Sequence, residues 1–199
     1  MKILITESQL QRVSEQETTE AVRYDFNDPT KQKKSKKRMD YRLIMANPNE
    51  NVFYKKVGDF SYFYNDSSEE GEIIIKVVDD INKSSAAHGA FFMVDADNFE
   101  ATSPFVYPEY RRQGIAIQMY KMALDFGNLL SGEAQSQYAE SLWKKLYDVF
   151  PNHMVVYNSQ TKKEYEITKD EKGDFIIPTE PEMDIYGPKT YIQLKLYKN

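Results

Sequence analysis

The chain has 199 residues, 41% of them apolar and 14% aromatic, with 31 acidic and 26 basic side chains and a formal net charge of −5. This is enough apolar content for one sizeable core and too much for a disordered chain. The absence of cysteine excludes disulfides, thiolate metal ligands and a thiol nucleophile, and the two histidines, His88 and His153, exclude a histidine-rich metal centre, so no metal site is expected.

In chain order, the apolar part of residues 1–6 is too short for a signal peptide, and no run reaches membrane-spanning length. A soluble, cytoplasmic protein with no membrane partner is expected. Thr6 followed by Gln9 forms a capping-box pattern that opens a short helix through about Gln16. The polar stretch 17–38 reads as a linker or loosely held arm, so a compact domain over 39–199 is expected to follow an N-terminal segment 1–38 that holds a short helix and a flexible basic arm. Within that arm, residues 31–38 hold six basic groups and no acid, which leaves the rest of the chain more acidic than its net charge indicates. Such a block can solvate itself as a linker, lie on its own acidic body, or meet an acidic partner or nucleic acid.

Short β-branched and aromatic runs at 52–57, 60–64, 72–78, 88–94 and about 101–107 are separated by Asn, Asp, Ser, Gly and Pro clusters, the pattern of an antiparallel meander. The third could instead turn helical at Val77 to Ile81. Ile115, Met119, Met122, Ala123 and Phe126 recur at helical spacing, and Ala139, Leu142, Trp143, Leu146 and Phe150 form a second apolar stripe that ends at Pro151. Terminal strands are expected at 153–157, 162–168, 175–177 and 191–197, with a polar hairpin turn at 170–174. The fold class is therefore α+β, a mostly antiparallel sheet flanked by helices.

Between the meander and the first of these helices lies Tyr107-Pro108-Glu109-Tyr110-Arg111-Arg112-Gln113-Gly114-Ile115-Ala116. A glycine without a blocking side chain at a helix start, free backbone N–H groups and two adjacent guanidiniums make an anion site suited to phosphate or pyrophosphate. Two cations at a helix N-terminus oppose the macrodipole, an arrangement that a bound anion would offset.

This segment resembles the acyl-CoA loop of the GNAT superfamily of N-acetyltransferases, Arg/Gln-x-x-Gly-x-Gly/Ala, with Arg111, Gly114 and Ala116 in the three pattern positions. Ser136 to Leu146 is similar to the family's next helix, and the likeness spans about 88–157. The resemblance implies a GNAT-like fold, acetyl-CoA as co-substrate, and an amine acceptor, on a small molecule or a protein, that attacks the thioester directly. It places the pyrophosphate on Arg111, Arg112, Gln113, Gly114, Ile115 and Ala116, and the pantetheine arm along Phe105 and Val106. Family members commonly carry a tyrosine on the second helix as acid for the leaving thiolate, but here the matching position is Trp143, with Tyr147 one turn on and Tyr138 more than a turn before. As proton acceptor the resemblance points to Glu100, while Asp95 and Asp97 read as turn residues, His88 as a structural histidine and Ser131 as a loop residue near the thioester. The alternative is a GNAT-like module that has lost catalysis and serves a binding or structural role. Residues 1–10 resemble the openings of tailed-phage proteins, which extends that alternative to a phage-encoded, virion-associated protein.

Overall fold

A computed structural model describes residues 29–67, 71–102, 104–132, 137–176 and 192–198. The expected helix at 6–16 lies outside them. The described fold is α+β, as composition and punctuation suggest.

The first element is a helix, α1 (Pro29–Ala46), which corrects the reading of 17–38 as a linker over its described part. It runs without a break through the boundary placed after residue 38. Pro29 at the helix start has a favourable fixed φ, and the run of Lys and Gln that follows has good helix propensity. Repulsion along the basic block is relieved by docking: Lys37 is buried, forms an ion pair with Glu109, and sets its ammonium 4.1 Å from the centroid of the Tyr107 ring. Of the alternatives for this block, contact with the chain's own acidic body is present at Lys37.

Five strands follow, β1 (Val52–Val57), β2 (Phe60–Ser67), β3 (Glu72–Asp79), β4 (Ser84–Met93) and β5 (Asn98–Ala101), each antiparallel to the one before it. β3 ends as a strand at Asp79, so the helical alternative at 77–81 is not realised. The expected single strand at 101–107 is two pieces, β5 and β6 (Phe105–Val106), both lying against β4. Thr102 N–H donates to Ala90 O and Tyr107 N–H to Ala86 O, which is five steps on one strand against four on the other. One extra residue therefore sits between them, a β-bulge around Pro104. Gly89 makes room for it, since a Cβ there would lie 3.3 Å from Pro104 Cα and 2.8 Å from Met119 Cε.

After a 3-10 turn at Pro108–Tyr110 comes α2 (Ile115–Ala123), shorter than the stripe to Phe126 suggested. Next is β7 (Asn128–Ser131), a strand the sequence reading missed, then α3 (Gln137–Val149), β8 (Met154–Asn158), β9 (Glu164–Glu166) and a hairpin of β10 (Thr168–Lys169) with β11 (Phe175–Ile176). β12 (Ile192–Leu196) enters between β7 and β8, giving the order β1-β2-β3-β4-β5-β7-β12-β8-β9. β5 and β7 are parallel, with Asn98, Phe99, Glu100 and Ala101 opposite Asn128, Leu129, Leu130 and Ser131.

Because neighbouring strand residues point to opposite faces, the sheet carries two cores. Tyr62, Val77, Phe91 and Leu129 pack with Ile115, Met119 and Met122 of α2 and Trp143 and Leu146 of α3. Phe63 and Val78, the strand neighbours of Tyr62 and Val77, face the other way and are covered by Ile44 and Tyr41 of α1. Each large apolar side chain fully buried in this way contributes about 1.5–3 kcal/mol. The helices thus clamp the middle of the sheet and fix where the chain emerges at 107–114.

Candidate functional site

The parallel ladder of β5 and β7 stops at Ala101 and Ser131, and among the described residues the two strands pair no further. The bulge shifts Phe105 and Val106 into register with His88 and Ala87, so β6 stays with β4, and its other edge is a gap in the strand pairing among the described residues. In an antiparallel ladder, backbone groups face the neighbour and the open side in alternation. Tyr107 N–H faces β4, hence Val106 turns its N–H and C=O toward the gap. Phe105 is partly exposed on the α1 face, its ring 5.4 Å from that of His88 and 5.1 Å from that of Tyr107.

The turn above this gap is held from below. Tyr110 is buried, its hydroxyl 2.6 Å from Ser84 Oγ and its ring edge-on to Phe60 at 5.9 Å. Burial raises the Tyr110 phenol above its usual pKa, so it stays a neutral anchor. From there Arg111 is extended, Arg112 takes a left-handed φ of 65° and Gly114 one of 77°, and α2 starts at Ile115. Left-handed residues are a component of the backbone nests that bind anions. No side chain caps α2, and its first internal bond is Gln118 N–H to Gly114 O at 3.1 Å. A Cβ built at Gly114 would meet nothing within 4 Å among the described residues, so the space beside this glycine is open to them.

The two arginines differ. Arg111 donates Nε–H to Val106 O at 3.1 Å and stacks its guanidinium 5.6 Å from the Tyr138 ring, so it ties the strand end to the turn. Arg112 is exposed, at its left-handed φ of 65°. Gln113 folds its amide back to Glu109 O at 3.3 Å and stabilises the loop. Ile115 is buried and roots the helix, and Ala116 follows it in the first turn.

At the base of the gap, Glu100 is half-buried and its Oε2 accepts from Gln193 Nε2 at 3.0 Å. Ser131, assigned above to a loop, ends β7 fully buried, and its Oγ accepts Leu194 N–H at 2.9 Å. Gln193 has no neighbouring motif in the sequence, and only its place opposite β7 in the fold brings it here.

The remaining candidates lie apart. Trp143 is 1% exposed and meets the Tyr120 ring edge-on at 5.6 Å, a core position. Tyr147 packs on Phe175 at 5.4 Å under the Lys169 ammonium, 4.5 Å from its ring centroid. It stands nine residues, about 13 Å of helix rise, from Tyr138 beside the turn. Asp95 caps its own turn, accepting from Asp97 N–H and Asn98 Nδ2. His88 lies against Phe105 and Tyr107, where burial holds its imidazolium below the usual pKa, opposed by Asp40 and assisted by Lys36. A surface hollow lined by Lys121, Asp125, Phe150 and Lys198 lies at the other end of α2. Among the described residues no His, Asp or Glu cluster suits a metal, and no helix is long and apolar enough to cross a membrane.

No protein-family model and no curated protein matches the chain. Among solved structures, the chain is similar to a GNAT family acetyltransferase from Elizabethkingia anophelis with acetyl-CoA bound, at 10% identity and a TM-score of 0.40 over 72% of this chain and 100% of that one. It is similar also to the ribosomal-protein-S18-alanine N-acetyltransferase from Escherichia coli, at 13% identity and a TM-score of 0.38 over 81% and 89% of the two chains. A third is an aminoglycoside 6'-N-acetyltransferase complexed with coenzyme A, at 15% identity and a TM-score of 0.33 over 79% and 97%. Likeness at this level adds no weight to the geometry.

Proposed function

We propose that the protein is an acyl-CoA-dependent N-acyltransferase of GNAT type, which moves an acetyl group from acetyl-CoA to a primary amine on a small molecule or a protein. One observation carries the reading: an uncapped helix start, with left-handed Arg112 and Gly114, follows β6, whose outer edge no described strand pairs. The diphosphate of the co-substrate suits the N–H groups of 112–116, with Arg112 adding charge. Its pantetheine amides suit the outward N–H of Val106 as an added strand would.

In this reading the thioester lies at the parting of β5 and β7, near Glu100. The amine lone pair attacks the thioester carbonyl carbon, the new C–N bond forms as the C–S bond breaks, and Glu100 takes the proton that the amine nitrogen sheds. The thiolate leaves and is protonated from solvent or a nearby acid. The protein contributes positioning and proton acceptance. Acetyl-CoA binding by calorimetry, with thiol release when primary amines are added, tests the proposal. Absence of binding removes it.

A second reading, a module of this fold without catalysis, is favoured by Trp143, which is sealed in the core where the family resemblance places an acid. It predicts acetyl-CoA binding without turnover across a broad amine panel. For residues 31–38, nucleic-acid contact predicts affinity that falls steeply with salt. The docking of Lys37 instead supports an internal role for that residue.

A further inference from the structure

We infer that Gln193 is a positioning residue that holds Glu100 ready to accept the amine proton, an inference that rests on the transferase reading above. The argument starts from where the backbone ladder fails. At Ala101 and Ser131 the pairing of β5 with β7 ends, and the pairing of β7 with β12 ends one residue earlier, at Leu130 opposite Lys195. Side chains take over at that level. Ser131 Oγ accepts Leu194 N–H at 2.9 Å, and Gln193 Nε2 reaches Ser131 O at 2.7 Å and Glu100 Oε2 at 3.0 Å. One amide nitrogen from β12 thus spans β7 to touch β5.

The orientation of that amide is fixed by its partners. A backbone carbonyl and a carboxylate oxygen both only accept, so the group facing them must be the NH2, whose two hydrogens are both used. Gln193 is 5% exposed and Ser131 0%, so the bond to Ser131 O is sealed from bulk water, while the bond to half-buried Glu100 is partly shielded. With Oε2 held, the carboxyl plane of Glu100 is set and Oε1 is the oxygen left for a proton. Among the described residues no cation pairs with Glu100, so this neutral donor restrains the carboxylate without cancelling its charge. A proton acceptor needs its basicity, and a lysine in place of Gln193 would pair with the carboxylate and lower it.

A strut that merely joins three strands would explain the same bonds, and a double-mutant cycle separates the two roles. The test uses the full chain, acetyl-CoA and a panel of primary amines, with thiol release as the rate and calorimetry for the co-substrate. Glu100→Gln is expected to lower kcat by about 100-fold or more. Gln193→Met, close in size and without donors, is expected to lower kcat by about tenfold and to leave acetyl-CoA affinity unchanged. In the double variant the Gln193 change should cost nothing further, because its route through Glu100 is already gone. Losses that multiply, or loss of acetyl-CoA affinity in Gln193→Met alone, overturn the inference in favour of a strut. If Gln193→Met does not fold, Gln193→Glu is read in the same cycle. Wild-type protein that binds acetyl-CoA and acetylates no amine overturns this inference and leaves the co-substrate site standing. Failure to bind at all overturns the transferase reading itself.

Discussion

In the proposed reading, the turn at 107–116 and the strand parting at Glu100, Ser131 and Gln193 are two halves of one site built in opposite ways. The turn is contiguous, exposed and made chiefly of backbone, with its conformation set by two left-handed residues and its position by Tyr110. The parting is assembled from three strands up to 93 residues apart, and it is made of side chains, two of them buried. A backbone site tolerates change at most of its side chains but not at the residue whose conformation makes it. A side-chain site fails at any of its members and is indifferent to its neighbours.

The largest effect should come from the core beneath both halves. Trp143→Ala is expected to destabilise the protein by about 3–5 kcal/mol, read by denaturant unfolding, with both halves lost together. A small change would contradict the core assignment. Gly114→Val separates the halves: a β-branched residue at this φ strains the turn by about 1–2 kcal/mol and stands in the open space. Calorimetry should show acetyl-CoA binding lost while the fold persists.

Arg112 sharpens the contrast between conformation and charge. Arg112→Gly keeps the left-handed turn without strain, so it should weaken acetyl-CoA binding less than Arg112→Ala, with both variants reducing the salt dependence of the dissociation constant. Equal losses would mean that charge alone matters.

The smallest effect belongs to His88, behind β6. Burial lowers its pKa in the folded state, against Asp40 and with Lys36. The unfolded chain then binds the proton more readily, so stability is fully present above the unfolded value of about 6.5 and is lost as pH falls through the folded pKa. Melting temperatures from pH 7 to pH 5 should show this decline, and His88→Phe should flatten it.

The legibility of the two halves follows from the same contrast. The turn could be read because its chemistry is local: a glycine, two arginines and a proline lead-in between an apolar run and a helical stripe. The meander was legible by alternation, since Ile73, Ile75 and Val77 mark one face of β3. β7 was missed because four residues, two of them leucine, carry no period that separates a strand from the end of a helix. α1 was missed because its basic block reads as self-repelling until Glu109 and Tyr107, some 70 residues on, are placed against Lys37. Gln193 could not be found at all, since its partners exist only after β12 has inserted beside β7.

The docking of Lys37 carries a practical consequence for trimming the protein. Its ammonium sits against Glu109, five residues before Gly114, and in the proposed reading would shield an incoming diphosphate from that carboxylate. A chain shortened to begin at residue 39 keeps every group of the turn, and keeps Ile44 and Tyr41 over Phe63 and Val78, yet it deprives Glu109 of this ion pair. Such a fragment should take up acetyl-CoA more weakly than the full chain, and added salt should narrow the difference.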